Sequence, residues 1–362
     1  MPSGDRTTWN VYQPTAPPVL GRIVPRRPCY VTERQLLDVV ASGEWASVWR
    51  LGASVTTVET KSHAMVRPWE AWGSVRDLET AAAWWTARGL RAPSSPAALV
   101  VKAAPEWYRA AAWSRHGTLL THLAGGWQEA QVRGIILGPH KLYDMRKAYR
   151  WALTAGSFPE RHSIQVARAW TPTAPGLHLL AVEPWPGAPW PLRDGGVVLV
   201  ETPEDVDRYG LPRVREWLGG VTWSRTMDAH ELAEIIDGTG VAACARTYWG
   251  PWVAQTPVSR TYSTGTVTQL RPRGTDAVRG HLILARVRRR VAELAASYVY
   301  VDSGMVPASQ AVAVGERIGD WREVRDYPDG VWIGWPGAYG PARGRPDRMA
   351  GQRRAVEEIF NV

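Results

Sequence analysis

The sequence GHLILARVRRRVAELAASYVYVDSG, residues 280–304, joins a helix pattern to a strand pattern. Apolar residues recur at helical spacing through residues 281–296. Residues 298–301 then alternate tyrosine and valine, which favours a β-strand, and Asp302 follows at once. A carboxylate at the end of a strand projects over the sheet edge, where a metal ion and a phosphate can approach. Asp302 is therefore a candidate catalytic residue.

A second carboxylate occupies a similar position earlier in the chain. Residues 141–145 are predicted to form a strand, in which Asp144 follows Lys141, Leu142 and Tyr143. Two such groups on neighbouring strands could hold a pair of Mg²⁺ or Mn²⁺ ions that serve phosphoryl transfer. The alternative from local sequence is that each aspartate simply begins a turn.

Composition restricts the class of protein. The chain has 362 residues, of which 45% are hydrophobic and 21% are charged, as in a globular protein. The formal net charge of +9 favours an anionic partner such as nucleic acid, although an arginine-rich composition alone could produce this charge. The two cysteines, Cys29 and Cys244, are too few for a disulfide framework or a zinc cluster.

No targeting or membrane signal is visible in the sequence. The first residues lack the apolar core of a signal peptide, and no apolar run reaches the ~18 residues that span a bilayer. We therefore expect a cytoplasmic protein without a membrane partner, located in the host cytoplasm if it is encoded by a phage.

Six short segments carry a resemblance to one family. They are HLAGG (122–126), YDMRKAYR (143–150), TYWG (247–250), GHLILARVRRR (280–290), YVDS (300–303) and IGDWR (318–322). In this order they resemble the Tyr-x-Gly-Gly signature, motif A, the end of motif B, the helix before motif C, motif C and the segment after it in family B DNA polymerases, especially the protein-primed branch. The resemblance covers roughly residues 117–340.

The resemblance implies an α+β fold, with a polymerase palm whose antiparallel sheet is backed by helices. It also implies small helical fingers, a small N-terminal α/β region and no complete thumb. The expected segments are an extended arm (1–28), an N-terminal region without an intact exonuclease (29–115), the first part of the palm (116–202), the fingers (203–262), the second part of the palm (263–345) and a C-terminal helix or tail (346–362).

Site residues follow from the resemblance by position. The implied metal ligands are Asp144, Asp302 and Met145, and the implied nucleotide-binding residues are Tyr149, Arg246 and Tyr248. The implied DNA-binding residues are Gly125, Gly126, Arg286, Arg288, Ser303, Trp321 and Tyr339.

Several of these roles have a structural alternative. Tyr149 would pack under the incoming sugar and reject a 2′-hydroxyl, but it could be a core tyrosine of a helix. Gly125 and Gly126 would let the backbone approach template phosphates, but they could be a plain hairpin pair. The arginines of 286–290 would contact phosphates, but some could solvate the outer helix face.

The pair Asp77 and Glu79 imitates the first motif of a proofreading exonuclease. It lies too close to Asp144 for an exonuclease to fit between, and Ser74 with Asp77 is typical of a helix N-terminus. We therefore predict no proofreading.

Departures from the family pattern leave three functions open. Motif B lacks its lysine, for which Arg246 and Arg225 are the candidate replacements, and motif C keeps one of two aspartates. The first hypothesis is a template-directed DNA polymerase acting on DNA primer-template and dNTPs, with a terminal or replication protein as a further partner. The second is a polymerase-derived DNA-binding protein without catalysis. The third is a basic structural protein of a phage particle.

Overall fold

The structure is a computed structural model. It describes residues 9–10, 20–21, 26, 28–51, 53–109, 128–130, 133–170, 175–184, 196–201, 214–253, 258–270, 276–294, 296–335 and 338–349. The chain forms two compact units: unit 1 contains Met1–Ser114 and His230–Ala277, and unit 2 contains Arg115–Ala229 and Val278–Val362. The segment 203–262, predicted to form fingers, is therefore divided between the two units.

The strands are numbered in chain order. They are β1 Trp9–Asn10, β2 Leu20–Gly21, β3 Pro28–Val31, β4 Trp45–Leu51, β5 Ser54–Thr60, β6 Met65–Pro68, β7 Gln128–Ala130, β8 Gly134–Ile136, β9 His140–Met145, β10 Phe158–Pro159, β11 Ile164–Val166, β12 Gly176–Val182, β13 Gly196–Val200, β14 Val214–Trp223, β15 Thr226–Met227, β16 Val258–Tyr262, β17 Val267–Leu270, β18 Tyr298–Tyr300, β19 Ser303–Pro307, β20 Trp321–Tyr327, β21 Val331–Trp335, β22 Ala338–Pro341 and β23 Arg348–Met349.

The α-helices are numbered in the same way. They are α1 Glu33–Ala41, α2 Val75–Ala87, α3 Pro96–Ala103, α4 Ala148–Thr154, α5 His230–Gly238, α6 Ala242–Thr247, α7 Gly250–Val253 and α8 Ala277–Ala292. Short 3₁₀ turns cover Glu70–Trp72, Pro105–Tyr108 and Arg161–Ser163.

Unit 1 is organised around one six-stranded sheet in the order β17-β16-β4-β5-β6-β3. Its pairings are antiparallel except for β3 with β6, which is parallel. Helix α1 supplies Leu36 and Val39 to a core that includes Val48, Val58 and Val66 of the sheet. Apolar burial on one face therefore joins α1 to the sheet.

The pattern LLDVV at residues 36–40 predicts a helix from Thr32 to about Trp49, and the end of this predicted helix is wrong. Helix α1 begins at a capping box between Thr32 and Gln35 and ends at Ala41. Gly43 then adopts a φ of 70°, a left-handed conformation that ends helices and suits glycine. The chain continues as β4, whose tryptophan and valine residues favour a strand.

The helix start predicted at Ser74 is confirmed. The Ser74 hydroxyl oxygen accepts a hydrogen bond from the Asp77 backbone N–H, and the same hydroxyl donates to the Asp77 carboxylate. Ser74 therefore caps α2, and Asp77 lies in its first turn, as the sequence context predicted. The sequence also predicts a helix from Pro105 to Trp113; the described part of this range forms a 3₁₀ turn at Pro105–Tyr108. Helix α3, capped by Ser95, was missed.

Unit 2 contains three larger antiparallel sheets. Their strand orders are β20-β9-β19-β18-β7, β11-β14-β12-β13 and β23-β22-β21-β8. Leu142, Tyr298 and Met305 from the first sheet share a buried cluster with Val331 and Ile333 from the third. The fold is mixed α+β, as predicted. Within the described residues, no helix combines the length and apolar character needed to cross a membrane.

Candidate functional site

Strand pairing brings the backbones of the two predicted catalytic aspartates close together at one end of neighbouring strands. Asp144 on β9 lies directly opposite Ser303 on β19. Asp302 precedes Ser303, and its carbonyl oxygen accepts a 2.9 Å hydrogen bond from the Met145 backbone N–H. The two aspartates, far apart in sequence, therefore lie on adjoining backbone segments.

The turn that carries Asp302 is conformationally unusual. Tyr300 pairs with Ser303, so only Val301 and Asp302 connect β18 to β19. Val301 has a φ of 61°, a left-handed conformation that β-branched residues rarely adopt. The Ser303 hydroxyl closes the turn by donating to the Tyr300 carbonyl at 2.8 Å. This tight turn holds Asp302 beside the end of β9.

Arg322 on β20 forms an ion pair with Asp144. Its Nε and Nη2 atoms donate to the Asp144 Oδ2 atom at 3.0 and 2.5 Å. Half of the Arg322 side chain is exposed, compared with 21% of the Asp144 side chain. Sequence reasoning missed Arg322, because the contact depends on the register of β20 against β9.

Tyr149, at the start of α4, lies within electrostatic range of Asp302. Burial raises the pKa of the Tyr149 hydroxyl, and the charge of Asp302 raises it further. Arg288 acts in the opposite direction, which places a cation near the same hydroxyl. Asp302, Tyr149 and Arg288 therefore form a single electrostatic cluster.

Arg286 occupies a different environment from the one predicted. Its side chain is 1% exposed and forms an ion pair with Glu201 at 2.7 Å. It also donates to the carbonyl groups of Ala152, Gly156 and Ser157, at distances of 2.5–3.1 Å. This enclosure corrects the prediction that Arg286 contacts DNA phosphates: the guanidinium instead connects α8 to the segment that follows α4.

Other residues that were predicted to contact a metal ion or DNA are also buried. Met145 and Trp321 are 1% and 4% exposed, and the guanidinium of Arg290 lies 5.8 Å from the Trp321 ring. Tyr339 on β22 packs edge-to-face against Tyr298. The Trp321 side chain therefore packs inside the protein, which corrects its predicted contact with DNA, and Met145 could offer a ligand only through its backbone.

The predicted motif B residues belong to unit 1. Tyr248 is fully buried, its ring packs against Trp252, and its carbonyl oxygen accepts a hydrogen bond from the Tyr108 hydroxyl. A nucleotide cannot reach this ring in the described conformation, which corrects the predicted role of Tyr248. Arg246 is exposed at the end of α6. Gly125 and Gly126 lie outside the described residues.

The donor set of the site fits a hard divalent cation only in part. Among the described residues, no group of three or more His, Cys, Asp or Glu side chains could hold a metal ion. Asp144 and Asp302 remain as a pair of carboxylates, and Mg²⁺ commonly uses one or two carboxylates together with water and substrate phosphates. The pair is therefore sufficient in kind, because Arg322 contacts only the Oδ2 atom of Asp144 and leaves its Oδ1 atom as a ligand.

Comparisons with known proteins place the fold in the class of DNA-polymerase-like folds. No protein-family model matches the chain, and no curated protein sequence matches it. Among solved structures it is similar to the DNA polymerase of phi29, a bacteriophage.

The likeness to phi29 DNA polymerase extends over most of the chain at low sequence identity. The complex with single-stranded DNA has a TM-score of 0.54 and 11% identity, with 79% of this chain and 64% of that chain covered. The ternary complex with primer-template DNA and incoming nucleotide has a TM-score of 0.55 and 10% identity, with 84% and 77% covered. The chain thus spans less than two thirds of the first structure, and the likeness shows the fold alone.

Proposed function

We propose that this protein is a reduced DNA polymerase of the protein-primed family B type, which extends a primer on a DNA template without proofreading. The observation that supports this proposal is the position of Asp144 and Asp302 on adjoining segments of one antiparallel sheet. In the proposal, unit 2 supplies the palm and its catalytic carboxylates. The net charge of +9 suits a nucleic-acid partner.

The proposed reaction is nucleotidyl transfer. The primer 3′-oxygen forms a bond to the α-phosphorus of a dNTP, and the bond from that phosphorus to the pyrophosphate oxygen breaks. Positioning and charge neutralisation supply most of the rate enhancement in such transfers. Tyr149 would lie under the deoxyribose, and Arg288 would neutralise charge on the phosphates.

Asp144 and Asp302 would hold the divalent cations, Mg²⁺ or Mn²⁺, with the Met145 carbonyl as a further oxygen donor. Bound cations of this kind supply Lewis-acid stabilisation of the phosphate charge. Since Arg322 contacts Asp144 in the described conformation, its guanidinium would move from this carboxylate to the nucleotide phosphates when the site is loaded.

Primer extension tests the proposal directly. We expect Asp302→Ala to abolish extension of a labelled primer on a template, while DNA binding and thermal stability stay near wild type. Asp326→Ala is the matched control, because Asp326 is exposed on the same sheet and pairs in register with Lys141, away from the predicted catalytic pair. Extension by Asp302→Ala at the wild-type rate would contradict the proposal.

A second candidate function is a polymerase-derived DNA-binding protein without catalysis. The ion pair between Arg322 and Asp144 favours it, because a guanidinium at this position neutralises a carboxylate that catalysis requires. This candidate predicts salt-sensitive DNA binding with no primer extension by the wild-type chain and no effect of dNTPs on DNA affinity.

A further inference from the structure

Unit 1 contains a cavity of about 450 Å³ at one face of its six-stranded sheet. This volume lies within the range of typical small-molecule sites. Its walls come from strands β4, β5 and β6, from the first residue of β16 and from the segment before α3. The lining residues are Trp49, Leu51, Thr56, Thr57, Met65, Arg67, Ser94, Ser95 and Val258. None of them belongs to the site in unit 2.

The cavity is lined by a cation that lacks a counter-ion. Arg67 forms no ion pair among the described residues. It makes a long hydrogen bond of 3.5 Å to the Pro93 carbonyl and also contacts the Tyr30 hydroxyl, and both partners are neutral. No carboxylate lines the cavity. The ammonium group of Lys102 is a second cation within electrostatic range of Arg67. Burial lowers the pKa of this group, and the charges of Arg67 and Arg91 lower it further. A partly buried cation without a counter-ion is costly, so the cavity favours an anion.

Hydrogen-bond donors at the cavity are also unsatisfied. The Nε atom of Arg67 and the indole Nε1 atom of Trp49 are both buried, and neither has a hydrogen-bond partner. Both groups only donate, and an unpaired buried donor costs roughly 1–3 kcal/mol. A ligand rich in acceptor oxygens would satisfy them once the two side chains turn toward the cavity, and a phosphate group has this chemistry.

The remaining wall suits a flat apolar group. The indole of Trp49 and the side chains of Leu51, Met65 and Val258 form the apolar part of the lining. Nucleobases stack on aromatic rings of this kind. The Arg260 guanidinium lies over the Trp49 ring, 4.5 Å from its centroid, so a base would use the opposite face of the ring. The Arg67 side and the apolar side together match the two halves of a nucleotide.

We propose that this cavity binds a nucleoside phosphate, with the phosphate at Arg67 and the base against Trp49. The proposal stands apart from the polymerase activity, because its residues all belong to unit 1. It assigns a nucleotide-binding role to the region that contains the predicted N-terminal segment, for which the sequence predicts no intact exonuclease.

Calorimetric titration of the full chain with dTMP in EDTA tests the proposal, because the absence of divalent cations suppresses binding at the carboxylates of unit 2. We expect dTMP to bind the wild type and Asp302→Ala alike. Arg67→Met should weaken binding about tenfold or more, since a charge-assisted hydrogen bond is lost, and Arg67→Lys should retain part of the affinity. Arg50→Met is the matched control, because Arg50 is exposed on the same strand as Trp49 and does not line the cavity.

Thymidine and inorganic phosphate separate the two halves of the ligand. Equal affinity of wild type and Arg67→Met for dTMP, with both proteins folded by circular dichroism, would overturn the proposal. Binding of thymidine as tight as that of dTMP would overturn the phosphate assignment, and binding of phosphate as tight as that of dTMP would overturn the nucleoside assignment. The absence of dTMP binding to the wild type would also overturn the proposal.

Discussion

At the residue scale, Arg322 forms an ion pair with the carboxylate of Asp144, which the proposed function requires as a metal ligand. In Arg322→Ala the Asp144 carboxylate loses its ion pair and can use both oxygens as ligands. We expect Mn²⁺ affinity to rise by about tenfold, which corresponds to loss of about one competing charge interaction. Electron paramagnetic resonance of a Mn²⁺ titration, without DNA or nucleotide, measures this effect independently of catalysis.

Arg325→Ala is the matched control for this experiment. Arg325 lies on the same strand and pairs with Asp347 at similar exposure, 58% and 25%, compared with 50% and 21% for Arg322 and Asp144. We expect no change in Mn²⁺ affinity for this variant. Unchanged or weaker binding by Arg322→Ala would mean that Arg322 does not compete with the cation.

The residues that the sequence could reveal are those with a local signal. Asp144 and Asp302 were identifiable because each closes a strand pattern, and Asp77 because Ser74 precedes it as a cap. Arg322 and Arg286 carry no such signal. Their partners, Asp144 and Glu201, lie 178 and 85 residues away in sequence, so only tertiary structure could assign their contacts.

At the element scale, the β18–β19 turn stores backbone strain next to Asp302. A left-handed conformation costs an L-residue about 1–2 kcal/mol, and asparagine tolerates it better than valine. We therefore expect Val301→Asn to raise the free energy of unfolding by about 1 kcal/mol, as measured by urea denaturation.

A glycine in another hairpin provides the reverse control. Gly265, in the turn between β16 and β17, has a φ of 85° and open space where a Cβ would lie. Gly265→Val should therefore lower stability by about 1 kcal/mol through backbone strain alone. A destabilised Val301→Asn would show that the valine side chain contributes packing that outweighs the strain.

At the scale of the whole molecule, buried histidines should make unit 2 sensitive to acid. His178 and His281 are 2% and 1% exposed, and burial lowers the pKa of each imidazole to about 4. Between pH 6.5 and 4 the unfolded chain binds more protons than the folded chain. Stability is therefore fully present above pH 6.5 and falls as the pH decreases, by about 2 kcal/mol per histidine at pH 5.

Urea denaturation at pH 7 and pH 5, followed by tryptophan fluorescence, measures this dependence. His281→Gln should reduce the difference in stability between the two pH values, since it removes one buried imidazole. His162→Gln, which replaces an exposed histidine of the same unit, should leave the difference near the wild-type value. Equal pH dependence in His281→Gln and the wild type would show that His281 does not carry the effect.

Local sequence determined the α+β class, the α2 cap, the two aspartates at strand ends and the basic character of the chain. Each of these features depends on composition or on residues that are close together in the sequence. Tertiary structure decided the remaining features. They are the pairing of Asp302 with the end of β9, the burial of Arg286 and Tyr248, the Arg322 ion pair and the Arg67 cavity. These features depend on strand register and on contacts between distant segments, which side-chain periodicity does not encode. The same physical reason explains why residues 203–262, continuous in sequence, contribute to two separate units.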